Sequence, residues 1–145
     1  MSDHLSEQIV VAAKAALISL ATTGARVFDS RVYPVKDTDC PCLLVDQGEE
    51  SSSFDELGFS RSVKRSMQLL VVAKVEQNTS YRTLVNTIRK EVEVALAAGL
   101  AGAKWVLPAS CEIELSGEAE KPIASATMTF DCVYITALGA PDVPL

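Results

Sequence analysis

Residues 61–76 constrain the fold most, because polar and apolar side chains alternate there over the full length of a long strand. Six of the seven odd positions from 63 to 75 are apolar. The exception is Arg65, which lies near the start of the segment, where we expect it to reach solvent. A period of two is typical of a strand with one buried face. The segment therefore predicts a long strand whose sheet packs against the rest of the protein on one side.

Two other segments have apolar residues at the three- and four-residue steps of an amphipathic helix. The first covers residues 5–22, and the second runs from Tyr81 to Ala98 and ends at Gly99 and Gly102. Further strands are predicted at 31–34, 41–46, 111–115 and 124–134. The order is α-β-β-β-α-β-β, which predicts an α+β fold: a mostly antiparallel β-sheet with two main helices packed on one face.

The 145 residues fit a single domain, 1–145. Residues 47–60 are acidic and Ser-rich, and we expect a long mobile loop or an extended hairpin tip there. Residues 139–145 are predicted to form an extended C-terminal tail. Trp105, just after the second helix, is predicted to cover one end of the core.

The charge balance argues against general binding of nucleic acid, since 13 Lys+Arg face 19 Asp+Glu and the net charge is −6. No apolar run has the ~18–20 residues that a membrane span needs. The N-terminal residues do not resemble a signal peptide, which predicts folding in a reducing cytosol with the four cysteines as thiols.

Cysteine and histidine content limits the chemistry. The spacing of Cys40, Cys42, Cys111 and Cys132 differs from that of structural zinc sites, and the last three lie on predicted strands, which favours a role as small apolar core residues. A cysteine metal site stays open as an alternative. The single histidine, His4, lies in a segment expected to fray, so Cys-His and Ser-His-Asp catalysis are not expected. The sequence thus predicts no enzyme, no cofactor and no metal.

A basic cluster directly follows the acidic segment, and two interpretations of it are open. It is either a charged strand edge that discourages aggregation, or a surface that meets the acidic segment of a neighbouring subunit. The second arrangement is heterologous and would close into a ring at a suitable rotation. The candidate interface residues are Glu49, Glu50, Phe54, Asp55, Glu56, Leu57, Arg61, Lys64 and Arg65.

The layout of the whole chain from Leu5 to Thr136 resembles the lambda-type tail terminator proteins of tailed bacteriophages, also called minor tail or tail completion proteins. The resemblance rests on the order of the elements and on short segments. Arg-Val-Tyr-Pro at 31–34 precedes Cys-Pro-Cys-Leu-Leu-Val at 40–45, where the family often has a proline-led apolar strand. An acidic segment with Glu49 and Glu50, a long strand, a helix and a Glu-rich hairpin follow.

The resemblance implies a structural protein of the virion tail, made in the cytoplasm of a bacterial host. It implies a homo-hexameric ring that caps the tail tube, stops tube polymerisation and joins the head connector. Its partners would be copies of itself, the tail-tube protein and the head–tail connector protein; DNA would pass through the ring without specific binding, and no membrane is involved. Alternatives are another connector or tail-tube component, or a dimeric α+β domain that binds a small ligand or acts as an enzyme.

Overall fold

The computed structural model describes residues 3–29, 41–54, 62–76, 80–115 and 123–144. Within them the chain forms helices α1 (Leu5–Leu17) and α2 (Tyr81–Ala97). The strands are β1 (Val27–Asp29), β2 (Cys42–Phe54), β3 (Ser62–Glu76), β4 (Trp105–Leu115), β5 (Ile123–Ala137) and β6 (Ala140–Pro144). The α+β class and the predicted order of elements are confirmed. The strand predicted at 31–34 lies outside the described residues.

The strands form one sheet in the order β1-β2-β3-β5-β4, and β6 pairs with β5. β3 and β5 are paired from Ser62 opposite Ala137 to Glu76 opposite Ile123, so these two strands form the centre of the sheet. Only the β1–β2 pair is parallel among the described strands. The mostly antiparallel sheet was therefore predicted correctly from the strand pattern.

The core lies between one face of this sheet and the two helices. On β3 the odd residues from Met67 to Val75 are completely buried, as the alternation predicts. The even residues of β5 from Ala124 to Cys132 lie opposite them and are buried too, as is Tyr134. Each large side chain buried in this way stabilises the fold by about 1.5–3 kcal/mol. The helices complete the core with Leu5, Ile9, Ala13, Leu17, Val85, Ile88, Val92 and Leu96.

Helix α1 begins at Leu5, as predicted, but its cap and its C-terminal end differ from expectation. Its N-cap is His4, whose Nδ1 accepts a hydrogen bond from the Ser6 backbone N–H at 3.1 Å, so the residue expected to fray has a capping role. The helix ends at Leu17, earlier than the predicted residue 22. The chain after it is held to α2 instead, because the Glu91 carboxylate accepts hydrogen bonds from the Thr22 N–H at 3.0 Å and the Thr22 hydroxyl at 2.5 Å.

Strand is present in the segment predicted as a loop or an extended hairpin tip, 47–60, and in the extended tail predicted at 139–145. Residues 47–54 continue β2, and residues 55–60 lie outside the described part. The composition of 47–54 is poor in strand-forming residues, but the long apolar-polar pattern of β3 provides a complete pairing partner for it. Residues 140–144 form β6, which pairs with the end of β5. Local composition does not indicate either pairing, because it does not include the partner strand.

Candidate interaction surfaces

A bulge in β2 brings four polar side chains together on the helix-covered face. The β2–β3 register shifts between Gln47 and Glu50, and this shift places Glu50 opposite Met67. One oxygen of the Glu50 carboxylate accepts a hydrogen bond from the hydroxyl of Tyr134, which is fully buried. The other oxygen lies 3.9 Å from the Arg65 guanidinium. The polar cluster is completed by Thr136, whose Oγ1 accepts a hydrogen bond from Arg65 Nε at 3.2 Å.

This polar cluster ties three strands together by side chains. The pKa of the Tyr134 hydroxyl is held above its usual value, first by burial and then by the Glu50 carboxylate, so it remains a hydrogen-bond donor into the alkaline range where an ordinary tyrosine ionises. The Arg65 side chain reaches solvent with 17% of its surface, and its charge is compensated by Glu50 within the chain. No sequence pattern indicates this arrangement, because the bulge that aligns Glu50 arises from the tertiary pairing.

The predicted interface residues are thus divided by the structure. Glu50 and Arg65 meet each other within the chain, whereas Glu49 and Lys64 are exposed. The backbone of Phe54 pairs with Val63 at the end of β2. The other four candidates lie outside the described residues: Asp55, Glu56, Leu57 and Arg61. A contact between subunits through these residues stays a prediction.

A cleft of about 330 Å³ opens beside the polar cluster, at the end of the β2–β3 pair. It is lined by Ser52, Ser53, Val63, Arg65 and Leu138, a mixture of polar and apolar residues. Leu138 is exposed and lies in the turn between β5 and β6. The cleft can accept an apolar side chain next to a hydrogen-bonding group.

Exposed apolar side chains concentrate along one edge of the sheet. Nine large apolar side chains are exposed in the described part of the chain, and six of them lie on β4, on β6 or in the turn before β6. This density makes the edge a candidate interaction surface, since exposed apolar residues are usually scattered singly over a protein. The six are Trp105, Leu107, Ile113, Leu115, Leu138 and Val143.

Trp105 belongs to this edge, so the prediction that it covers one end of the core is wrong. It is 49% exposed and lies opposite Val133, on the sheet face away from the helices. β4 begins at Trp105, six residues before the predicted start of this strand at Cys111. Trp105 is therefore the first residue of β4, and its side chain lies on the face away from the helices.

A second bulge divides β4 into two parts with different surfaces. The β4–β5 register shifts between Pro108 and Ser110. Beyond the shift, Cys111, Ile113 and Leu115 lie on the helix-covered face of the sheet, opposite the buried even residues of β5. The two acids that alternate with them, Glu112 and Glu114, lie on the other face and are exposed.

The cysteines described by the structure belong to the core. Cys42 and Cys132 are completely buried, and Cys111 packs against the core from β4. Burial, with a smaller effect of the Asp131 carboxylate, raises the pKa of the Cys132 thiol from 9.0 to about 12. In the described ranges no group of three or more His, Cys, Asp or Glu side chains is arranged to hold a metal ion. Cys40 lies outside those ranges.

Neither helix of the described chain is long and apolar enough to cross a membrane. No protein-family model and no curated protein sequence matches the chain. The fold is similar to that of a chain in the solved virion of a native gene transfer agent (GTA) particle, with a TM-score of 0.61 and 12% sequence identity. The alignment covers 88% of this chain and 95% of that one. At this identity the likeness establishes a shared fold.

Proposed function

We propose that this chain is a structural subunit of a phage-like virion, and that it forms a ring at the end of the tail tube. The ring stops polymerisation of the tube and provides the surface to which the head connector binds. The chain then acts by shape and contact and is not an enzyme. Its partners are other copies of itself, the tube subunit and the connector subunit.

The observation that carries the proposal is the fold likeness to the virion chain. It extends over 88% of this chain and 95% of the other. The resemblance of the sequence layout to tail terminator proteins supports the same class of function. The exposed apolar edge formed by β4 and β6 supports it further, because a subunit of an assembly needs contact surfaces for its neighbours.

The charge of the chain suits a ring around a DNA channel. A net charge of −6 at neutral pH weakens attraction of the phosphate backbone, so DNA would pass without being retained. Exchange of acidic residues that line the channel for Lys is expected to slow DNA passage. Unchanged transit in such a variant would count against this part of the proposal.

Deletion of the gene tests the proposal through the shape of the particles. Without the terminator, tubes are expected to grow to variable and excessive lengths and to remain unattached to heads, and a plasmid copy restores normal particles. Absence of tubes altogether would indicate a tube component instead, a second function compatible with the same fold. Tubes of normal length that fail to join heads would indicate a connector.

A further inference from the structure

We propose that residues 110–115 of β4 are a strand-addition site for an extended segment of another polypeptide, in which apolar residues alternate with Lys or Arg. The proposal goes beyond ring formation: it assigns a surface and the chemistry of its partner, and it does not depend on whether the ring closes. Addition of a strand to an exposed sheet edge is a common mode of peptide recognition.

The first argument is that the outer edge of β4 is unpaired among the described strands. Among the described strands, β4 pairs with β5 on one side and has no partner on the other. An edge strand presents unpaired backbone N–H and C=O groups that can bind another strand. Every side chain from Glu112 to Leu115 is exposed. Backbone and side chains are therefore both accessible along the same short segment.

The second argument is the pattern of side chains across the two faces. Ile113 is 42% exposed and Leu115 is 50% exposed on the helix-covered face, beyond the cover of α2, whereas Glu112 and Glu114 are exposed on the opposite face. Side chains directly opposite each other on paired strands favour apolar contacts and opposite charges. A matching strand thus carries apolar residues toward Ile113 and Leu115 and cations toward the two acids.

This pattern disfavours a second copy of the chain as the occupant. An antiparallel pair of two β4 strands centred on Ile113 would place Glu112 of one copy opposite Glu114 of the other, and like charges in this position are destabilising. At the opposite end of the sheet, the described open edge consists of β1 and of residues 46–54 of β2, which extend beyond the pairing with β1. This edge is acidic as well, since it contains Asp29, Asp46 and Glu49. The charge of the edge therefore favours a basic segment of a different protein.

The probe is the hexapeptide Lys-Val-Lys-Ile-Lys-Val, compared with Lys-Lys-Lys-Val-Ile-Val, which has the same composition and charge without the alternation. We expect the alternating peptide to bind the full chain with a Kd at least about tenfold lower than the permuted one. In amide exchange measured by NMR, bound peptide should slow exchange in residues 110–115. An alternating peptide methylated on its backbone nitrogens should lose the effect.

A charge exchange separates specific pairing from general attraction to an acidic protein. The double variant E112K/E114K should bind Lys-Val-Lys-Ile-Lys-Val about three- to thirtyfold more weakly and gain binding of Glu-Val-Glu-Ile-Glu-Val, because two cross-strand ion pairs reverse sign. The matched control D46K/E49K changes two exposed acids on β2 by the same charge.

Three results would overturn the proposal. Equal binding of the alternating and permuted peptides would show simple electrostatic attraction, as would an equal loss in D46K/E49K. Protection of residues 110–115 that increases with protein concentration in the absence of peptide would identify a second copy as the occupant. Gene deletion, which tests the ring, has an independent outcome, so failure of one proposal is distinguishable from failure of the other.

Discussion

Tyr134 on β5 donates its hydroxyl hydrogen to the carboxylate of Glu50 on β2, across the intervening strand β3. The contact exists because the bulge between Gln47 and Glu50 shifts the register of β2, and this shift places Glu50 on the helix-covered face. Arg65, on the strand between them, lies 3.9 Å from the same carboxylate. Three strands are thus connected by side chains in addition to their backbone ladders.

Replacement of Glu50 by Ala is expected to destabilise the protein by about 1–3 kcal/mol, because the buried Tyr134 hydroxyl loses its acceptor and Arg65 loses its compensating charge. E50Q should cost less, since an amide oxygen can still accept from Tyr134. Urea unfolding measures both. In a double-mutant cycle with Y134F, we expect a coupling energy of about 0.5–3 kcal/mol.

The neighbouring acid provides the control for that cycle. Glu49 is exposed, so E49A should change the free energy of unfolding by no more than about 0.5 kcal/mol. Additive effects of E50A and Y134F would contradict the claimed link between the two side chains.

Stability is expected to fall at alkaline pH. The folded protein holds the pKa of Cys132 at about 12, above the 9.0 of the ordinary thiol, and holds the pKa of Tyr134 above 10.0. The unfolded chain therefore releases these protons first. The stabilisation is complete below about pH 9 and is lost as pH rises toward the folded pKa values. Urea unfolding between pH 8 and 11 measures the slope.

The variant C132V tests the assignment of this slope. Removal of the thiol should leave a shallower loss of stability between pH 9 and 11, whatever its effect at pH 7, because a group whose pKa is raised by folding is absent. A slope identical to that of the parent protein would refute the contribution of Cys132.

Replacement by Ala is expected to lower the free energy of unfolding by different amounts at the two glycines that follow α2. Gly99 has φ +92° and open space around it, so G99A adds only backbone strain, about 1–2 kcal/mol. Gly102 has φ +93°, and an added Cβ would lie 2.8 Å from Leu5 Cδ1. G102A should therefore cost about 1–3 kcal/mol more than G99A. Equal losses in thermal unfolding would show that Leu5 yields without cost.

The contact between Thr22 and Glu91 should contribute more to the free energy of unfolding than a surface ion pair on the same helix. Both Glu91 oxygens accept hydrogen bonds from Thr22, so E91Q is expected to cost about 1–2 kcal/mol. Glu93 lies 3.7 Å from Arg89, and both side chains are at least 40% exposed. E93Q should thus change stability by less than about 0.5 kcal/mol. Chemical unfolding of the two variants compares them directly, and a larger effect of E93Q would contradict this assignment.

The sequence alone was sufficient for the elements that have their own periodicity. β3 was predicted from the alternation around Met67 to Val75, and α2 was predicted within one residue because its apolar stripe ends before the glycine Gly99. Burial of these residues follows directly from the pattern, since only one face of each element is apolar. The fold class follows from the same two elements and the strands around them.

Features that depend on a partner strand were not predictable. Residues 47–54 contain Gly, Glu and three Ser residues, yet they pair with β3. The bulges at Gln47 and Pro108 decide which face Glu50 and Ile113 occupy, and a bulge has no local signal of comparable strength. The pairing of Arg65 with Glu50 was not predicted, because the sequence does not show that the bulge places Glu50 beside Arg65.

Cryo-electron microscopy of the particles made by the cell that encodes this chain tests the central claim most directly. The account predicts six copies of the chain as a ring between the end of the tail tube and the head connector. Particles whose tail end contains no density for this chain, together with its absence from their mass spectrum, would contradict it.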